Sequence, residues 1–268
     1  MNKLTQKVTP ILGVAGLALA ALTANAQPVF QYNTGDLIAD FSEAGSPDLE
    51  VDIGSLSTLT SEAEAAGGTY VIGAYSPTSQ LLNNFGGSAA GVTFTVFGAA
   101  GVINADDYLS LSRTLPGVQN PAPNDWTPSK GNSVLSQILG ITSGLTTYSA
   151  NNPANSVADT PSAVLVPSSS SESAQWVDSY TYHRTGLTGY TGSDIGNTLD
   201  GSSAVSDLYD YAELGGGTQA TFDGSFTFNS NGSLDFTASS VPEPKVWGLL
   251  ACGFLVLLQR HRINNKAI

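Results

Sequence analysis

The side chains able to do chemistry are few and far apart. His183 is the only histidine before His261. A Ser-His-Asp triad would have to use it, yet the chain has no G-x-S-x-G turn to present a nucleophilic serine. Tyr182-His183-Arg184 is expected as ordinary polar surface at the end of a short helix. Asn104 and Asp106-Asp107 put oxygen ligands close together, and calcium takes about six to eight such oxygens. The EF-hand spacing is absent, so a solvated turn is expected there and no metal site. Of the 22 acids, 21 lie between positions 27 and 241. With so many, some pair always lies near another, and pairing alone does not mark a glycoside hydrolase. Trp126, Trp176, Tyr180, Tyr182, Tyr209 and Tyr211 would form a sugar-stacking platform if exposed, but most are expected in a core. Gly215-Gly216-Gly217 is no phosphate loop, because no G-K-[ST] follows. No catalytic residue and no cofactor are expected.

The stronger signals are addresses. Lys3 and Lys7 precede an apolar run from Pro10 to Leu22, and Ala24-Asn25-Ala26 supplies small residues before Gln27. That order is a secretory signal peptide, with cleavage by signal peptidase expected between Ala26 and Gln27. At the other end, Val241-Pro242-Glu243-Pro244 breaks the chain. Two prolines without backbone donors hold the stretch extended, where a processing enzyme can grip it. Val246, Trp247, Leu249, Leu250, Phe254, Leu255, Val256, Leu257 and Leu258 then dominate an apolar run, closed by Arg260, His261 and Arg262. The run predicts a helix of about 20 Å, short against about 30 Å of hydrocarbon, which suits a transient membrane intermediate better than a permanent anchor. A plain single-pass anchor is the alternative. A GPI signal fits less well, because the polar spacer is missing and the tail ends in bases. The basic cluster stays cytoplasmic by the positive-inside rule, so the rest faces outward.

Val-Pro-Glu-Pro, a short apolar helix and an Arg-rich tail resemble the PEP-CTERM sorting signal of Gram-negative bacteria. The resemblance covers Val241 to Arg262. Lys245 and the interposed His261 depart from the usual pattern. The resemblance implies recognition and cutting by a membrane-embedded exosortase, whose catalytic residues belong to that enzyme and not to this chain. Tyr32 to Phe41, Leu49 to Gly54 and Val92 to Gly98 also resemble the exported bodies of proteins that carry this signal.

The part between the two signals holds 21 acids against three bases, Arg113, Lys130 and Arg184, a formal charge of −18. Nucleic acid and anionic lipid both need basic surface, so neither is expected as a partner. The acids are scattered and are expected on a surface kept soluble by like charge, with divalent cations as the sharper alternative. Cys252 is the only cysteine and lies in the C-terminal apolar run, which excludes a disulfide framework.

Strand patterns dominate. Val92, Phe94 and Val96 alternate on one face. Leu49 to Ile53 alternates apolar and acidic side chains, as a half-exposed strand does. Gly35 to Phe41 and Thr69 to Tyr75 are two further candidates. The clearest hairpin turns at Asn231-Gly232, with Phe222, Phe226 and Phe228 expected on one face and Leu234 and Phe236 returning. Asn132 to Leu139 predicts two turns of helix, and Ser173 to His183 a second short helix. Ala204 to Leu214 is ambiguous. Pro116 to Pro128 and Asn151 to Ser171 are expected as long loops. The pattern predicts an all-β chain: residues 1–26 a signal peptide, 27–240 one antiparallel sandwich-like domain with a few short helices, and 241–268 the sorting signal with its transmembrane helix. The function expected is that of a non-catalytic protein exported to the cell surface or matrix. A carbohydrate-binding module for exopolysaccharide, using exposed aromatics, is the alternative.

Overall fold

The computed structural model describes residues 29–43, 45–72, 83–100, 106–113, 115, 117–124, 128–152, 156–157, 163–166, 197–211 and 219–239. The elements follow the chain as β1 (Asp36–Ser42), β2 (Asp48–Ser55), α1 (Leu56–Ala65), β3 (Thr69–Val71), β4 (Thr93–Ala99), β5 (Asp107–Ser112), α2 (Pro128–Asn151), β6 (Ser156–Val157), β7 (Ala163–Val166), β8 (Asn197–Thr198), β9 (Ser203–Tyr211), β10 (Thr221–Asn229) and β11 (Leu234–Ala238). The chain is all-β in class, as its alternating pattern predicts.

The strands form one antiparallel sheet in the order β3-β11-β10-β9-β5-β4-β1-β2-β7-β6, with β8 beside the start of β4. In place of the two-layer sandwich expected from the pattern, the strands make a single sheet that curls on itself. Phe41 on β1 and Phe228 on β10 lie four strand steps apart. A flat sheet would separate them by about 19 Å at about 4.8 Å per step. Their ring centroids are 5.1 Å apart, and Phe94 of β4 completes the cluster 5.6 Å from Phe228. The concave face buries Leu37, Ala39, Phe41, Leu49, Val51 and Ile53 against Phe226, Phe228, Leu234 and Phe236.

Helix α1 closes the open side of the curl. It packs on β2 at one end of the sheet and on β3 and β11 at the other. Ser55 caps its first turn by accepting from the Thr58 backbone N–H, and Gly67, at φ 87°, lets the chain reverse after it. Leu59 and Ala63, one turn apart, supply the buried stripe.

The convex face is also buried over much of its width. Helix α2 covers β4 and β5 with Val134, Leu135, Ile138, Ile141, Leu145 and Tyr148, at helical spacing. The local pattern predicts two turns here, Asn132 to Leu139, and the helix runs 24 residues. Its glycines and β-branched residues have poor intrinsic propensity, and burial of a continuous stripe outweighs that. The buried N–H of Phe30 donates to Ser149 Oγ of α2 at 2.9 Å, tying the start of the body to this layer.

Several expectations are corrected. The segment Asn151 to Ser171, expected as loop, contributes β6 and β7; β7 pairs with β2, and β6 with β7. Leu49 to Ile53 is no half-exposed strand: β2 lies between β1 and β7, and Glu50 and Asp52 are buried along with the apolar residues. Of Ala204 to Leu214, the described residues belong to strand β9, Ser203–Tyr211, and 212–214 lie outside the described residues. Phe222 does not share a face with Phe226 and Phe228. A bulge between Phe222 and Gly224 flips it to the convex side, where its ring meets Tyr209 at 5.8 Å. The Asn231-Gly232 hairpin forms as expected, with Gly232 at φ 86° donating to the Asn229 carbonyl. Among the described residues no helix is long and apolar enough to cross a membrane. The expected transmembrane run, the sorting motif, the signal peptide and the helix at Ser173 to His183 lie outside the described residues.

Candidate functional site

The unusual chemistry of this body is inside it. On the convex face of β1 and β2, Asp40, Asp48, Glu50 and Asp52 are all buried. Strand alternation explains why they share a face: the even positions of both strands point away from the apolar concave core. The ladder then sets the neighbours. Asp40 stands directly opposite Glu50, and on the other side opposite Thr95 of β4. Glu50 faces Val164 of β7, and Asp48 faces Val166. Both valines belong to the convex apolar cluster with Ile38 and Phe97.

These carboxyls are poorly satisfied. Oδ1 of Asp40, Oδ2 of Asp48 and Oε2 of Glu50 are out of contact with water and have no hydrogen-bond partner among the described residues. Burial pushes the Asp40 carboxyl well above the ordinary carboxylate range, and the charge of Asp48 pushes it further. Burial does the same to Glu50, reinforced by Asp40 and Asp48. Asp48 is pushed up to about 7 by burial. Asp52 is also pushed up to about 7, by burial, although its Oδ1 accepts from the Gly54 N–H at 2.8 Å. Ionised carboxylates are costly to bury without partners, so burial favours the protonated form of such groups.

A second acidic grouping gathers where β5, β9 and β10 meet. Tyr108 stands opposite Asp210. Burial raises the Tyr108 phenol above its ordinary range, helped by Asp210, Asp106, Asp223 and Asp107. Asp223, the residue of the bulge, is pushed up to about 6 by burial and then by Asp106. Asp107 is therefore not part of a solvated turn: it opens β5 and is 1% exposed, while Asp106 just before it is half-buried. Among the described residues no group of three or more His, Cys, Asp or Glu side chains is arranged to hold a metal ion.

The sugar platform is also reduced. Tyr209 and Tyr211 are fully buried, and the Tyr209 hydroxyl donates to the Asn120 carbonyl at 2.7 Å. Trp126, Trp176, Tyr180, Tyr182, His183 and Asn104 lie outside the described residues. The buried acid row escapes sequence reading because an acid alternating with apolar residues looks solvent-facing. The one available signal lies in a neighbouring strand. Ala163-Val164-Leu165-Val166 is apolar at every position, the mark of a strand whose two faces are both covered.

Compared with family models, curated proteins and solved structures, the chain matches none.

Proposed function

We propose that this chain is a non-catalytic protein exported to the cell surface or extracellular matrix, sorted by its C-terminal signal and processed there by an exosortase. The observation that carries the reading is the three-part layout from Val241 to Arg262, paired with an Ala24-Asn25-Ala26 cleavage site at the other end. Lys245 to Arg262 would hold the chain in the inner membrane as a transient single-pass helix until the cut. A body of high negative charge suits release into a crowded matrix, where like charge keeps copies apart.

The test is the intact mass of the protein recovered from its host, from both membrane and medium. A species starting at Gln27 and ending within Val241–Pro244 is expected in the medium. A species that starts at Gln27 but keeps Ile268 would leave export standing and make the chain a permanent anchor. Retention of Met1 to Ala26 would end the reading. Exopolysaccharide is the polymer partner of the alternative reading, a carbohydrate-binding module using exposed aromatics. Loss of glycan retention in Trp126→Ala or Trp176→Ala would make the body a binding module in its own right.

A further inference from the structure

We propose that Asp40, Glu50 and Asp48 form a proton-operated fastening of the β2-β7-β6 margin of the sheet, closed in acid and weakened as pH rises above neutral. The geometry carries it. Asp40 and Glu50 are directly opposed partners of an antiparallel ladder, in which facing side chains lie about 4.5–5.5 Å apart at Cβ. Asp48 is on the same strand and face as Glu50. The three residues are 7%, 3% and 2% exposed for Asp40, Glu50 and Asp48, and each has a carboxyl oxygen with neither water nor a described hydrogen-bond partner. Two negative charges so placed repel strongly in a desolvated setting. A proton on one of them turns the repulsion into an O–H donor facing a carboxylate acceptor.

Apart from Lys130 of α2, whose side chain lies outside the described residues, no base answers these acids from the described elements around them. β1 adds Asp36, and β2 adds Asp52. β4, β6 and β7 carry no titratable residue. Of the buried residues of α2 over the same face, only Tyr148 is titratable. Tyr32 lies beside Asp36 and Asp52, and Glu43, past the end of β1, accepts from Ser46 Oγ. The described arginine, Arg113, is committed to Asp207.

The direction follows from proton linkage. The folded body holds protons on these acids at pH values where the unfolded chain has released them. Their contribution to stability is complete below the ordinary carboxylate range. It is lost as pH rises through about 7, the value for Asp48, and beyond for Asp40 and Glu50. On loss, the protons pass to solvent and the charges part β2 from β1 and β7. The inference holds whether or not the chain is exported.

The experiment is thermal unfolding of the full chain in detergent with EDTA, from about pH 5 to about pH 9. The melting temperature is expected to fall by about 5 °C or more over this range. Glu50→Gln and Asp40→Asn, which mimic the protonated form, should each flatten the profile and melt higher than wild type at the alkaline end. Infrared spectra of the wild type near neutral pH should contain a protonated-carboxyl band that weakens in Asp40→Asn; this readout needs only one of the variants to fold. A wild-type profile that is flat or rises with pH overturns the proposal. So does a calcium-dependent recovery of the alkaline melting temperature that Glu50→Gln abolishes, since the row would then be a cation site.

Discussion

Arg113 and Asp207 meet inside the convex face, with two donors of the guanidinium on one carboxylate oxygen. Nε and Nη2 of Arg113 donate to Oδ1 at 2.9 and 2.6 Å, and Oδ2 accepts from the Asn120 backbone N–H at 2.8 Å. Asp207 is wholly buried. One of the three bases between positions 27 and 241 is thus spent on internal architecture. It pins the segment before α2 to β9, and Asn120 Nδ2 adds a bond to the Ser112 carbonyl at 2.7 Å. Removing Arg113 leaves a buried charge uncompensated, so Arg113→Ala should cost about 3–5 kcal/mol. Arg113→Met combined with Asp207→Leu should cost much less. Denaturant titration of the four combinations measures the coupling directly.

Gly224 is where β10 and β11 approach too closely for a side chain. A Cβ there would lie 2.5 Å from the Thr237 carbonyl oxygen and 2.8 Å from two atoms of the Phe236 ring. Gly224→Ala should therefore destabilise by about 1–3 kcal/mol. Gly201→Ala, with nothing within 4 Å of the added carbon, should change stability by no more than about 0.5 kcal/mol. Equal effects in chemical unfolding would refute the steric account.

Phe228 is the contact on which the curl depends. It packs on both Phe41 and Phe94 from across the interior. Phe228→Ala should cost about 3–5 kcal/mol, and Phe228→Leu distinctly less, because leucine refills most of the space. The readout is the urea midpoint at unchanged slope.

Tyr32 gives an alkaline marker. Its hydroxyl donates to the Ala99 carbonyl at 3.1 Å. Burial pushes its phenol up to about 12, and the Ala99 backbone N–H, which donates to the same oxygen at 3.3 Å, acts against that shift. A raised folded value means stability present below the ordinary tyrosine range and lost as pH rises through about 12. Ultraviolet titration should find a tyrosine that ionises only near that point, and Tyr32→Phe should delete it.

What sequence reading catches and misses follows physical lines. Phe94 and Val96 on one face, and the Asn231-Gly232 turn, are legible because period-two alternation and left-handed turn chemistry are local. Phe222 is misplaced because a bulge changes the face of everything on one side of it, and nothing in Thr-Phe-Asp-Gly announces which residue will be squeezed out. Helix α2 is cut short because its glycines and threonines look like loop until Leu135, Ile138, Ile141 and Leu145 are seen to have a sheet to lie on. The acid row is illegible for a related reason. Glu50 between Leu49 and Val51 has the same local pattern whether its far face meets water or Val164. That difference is decided by β7, more than a hundred residues along the chain.

The place of β11 has a kinetic consequence. It is the last of the described strands along the chain, yet in the sheet it sits between β10 and β3, and α1 packs against it. Tyr70 of β3 pairs with Phe236, so the N-terminal half cannot complete its layer until this strand has left the ribosome. A topology with such long-range pairings folds slowly, because chain closure must precede the contacts that reward it. Until residue 238 is made, the growing polypeptide lacks the strand that locks it shut.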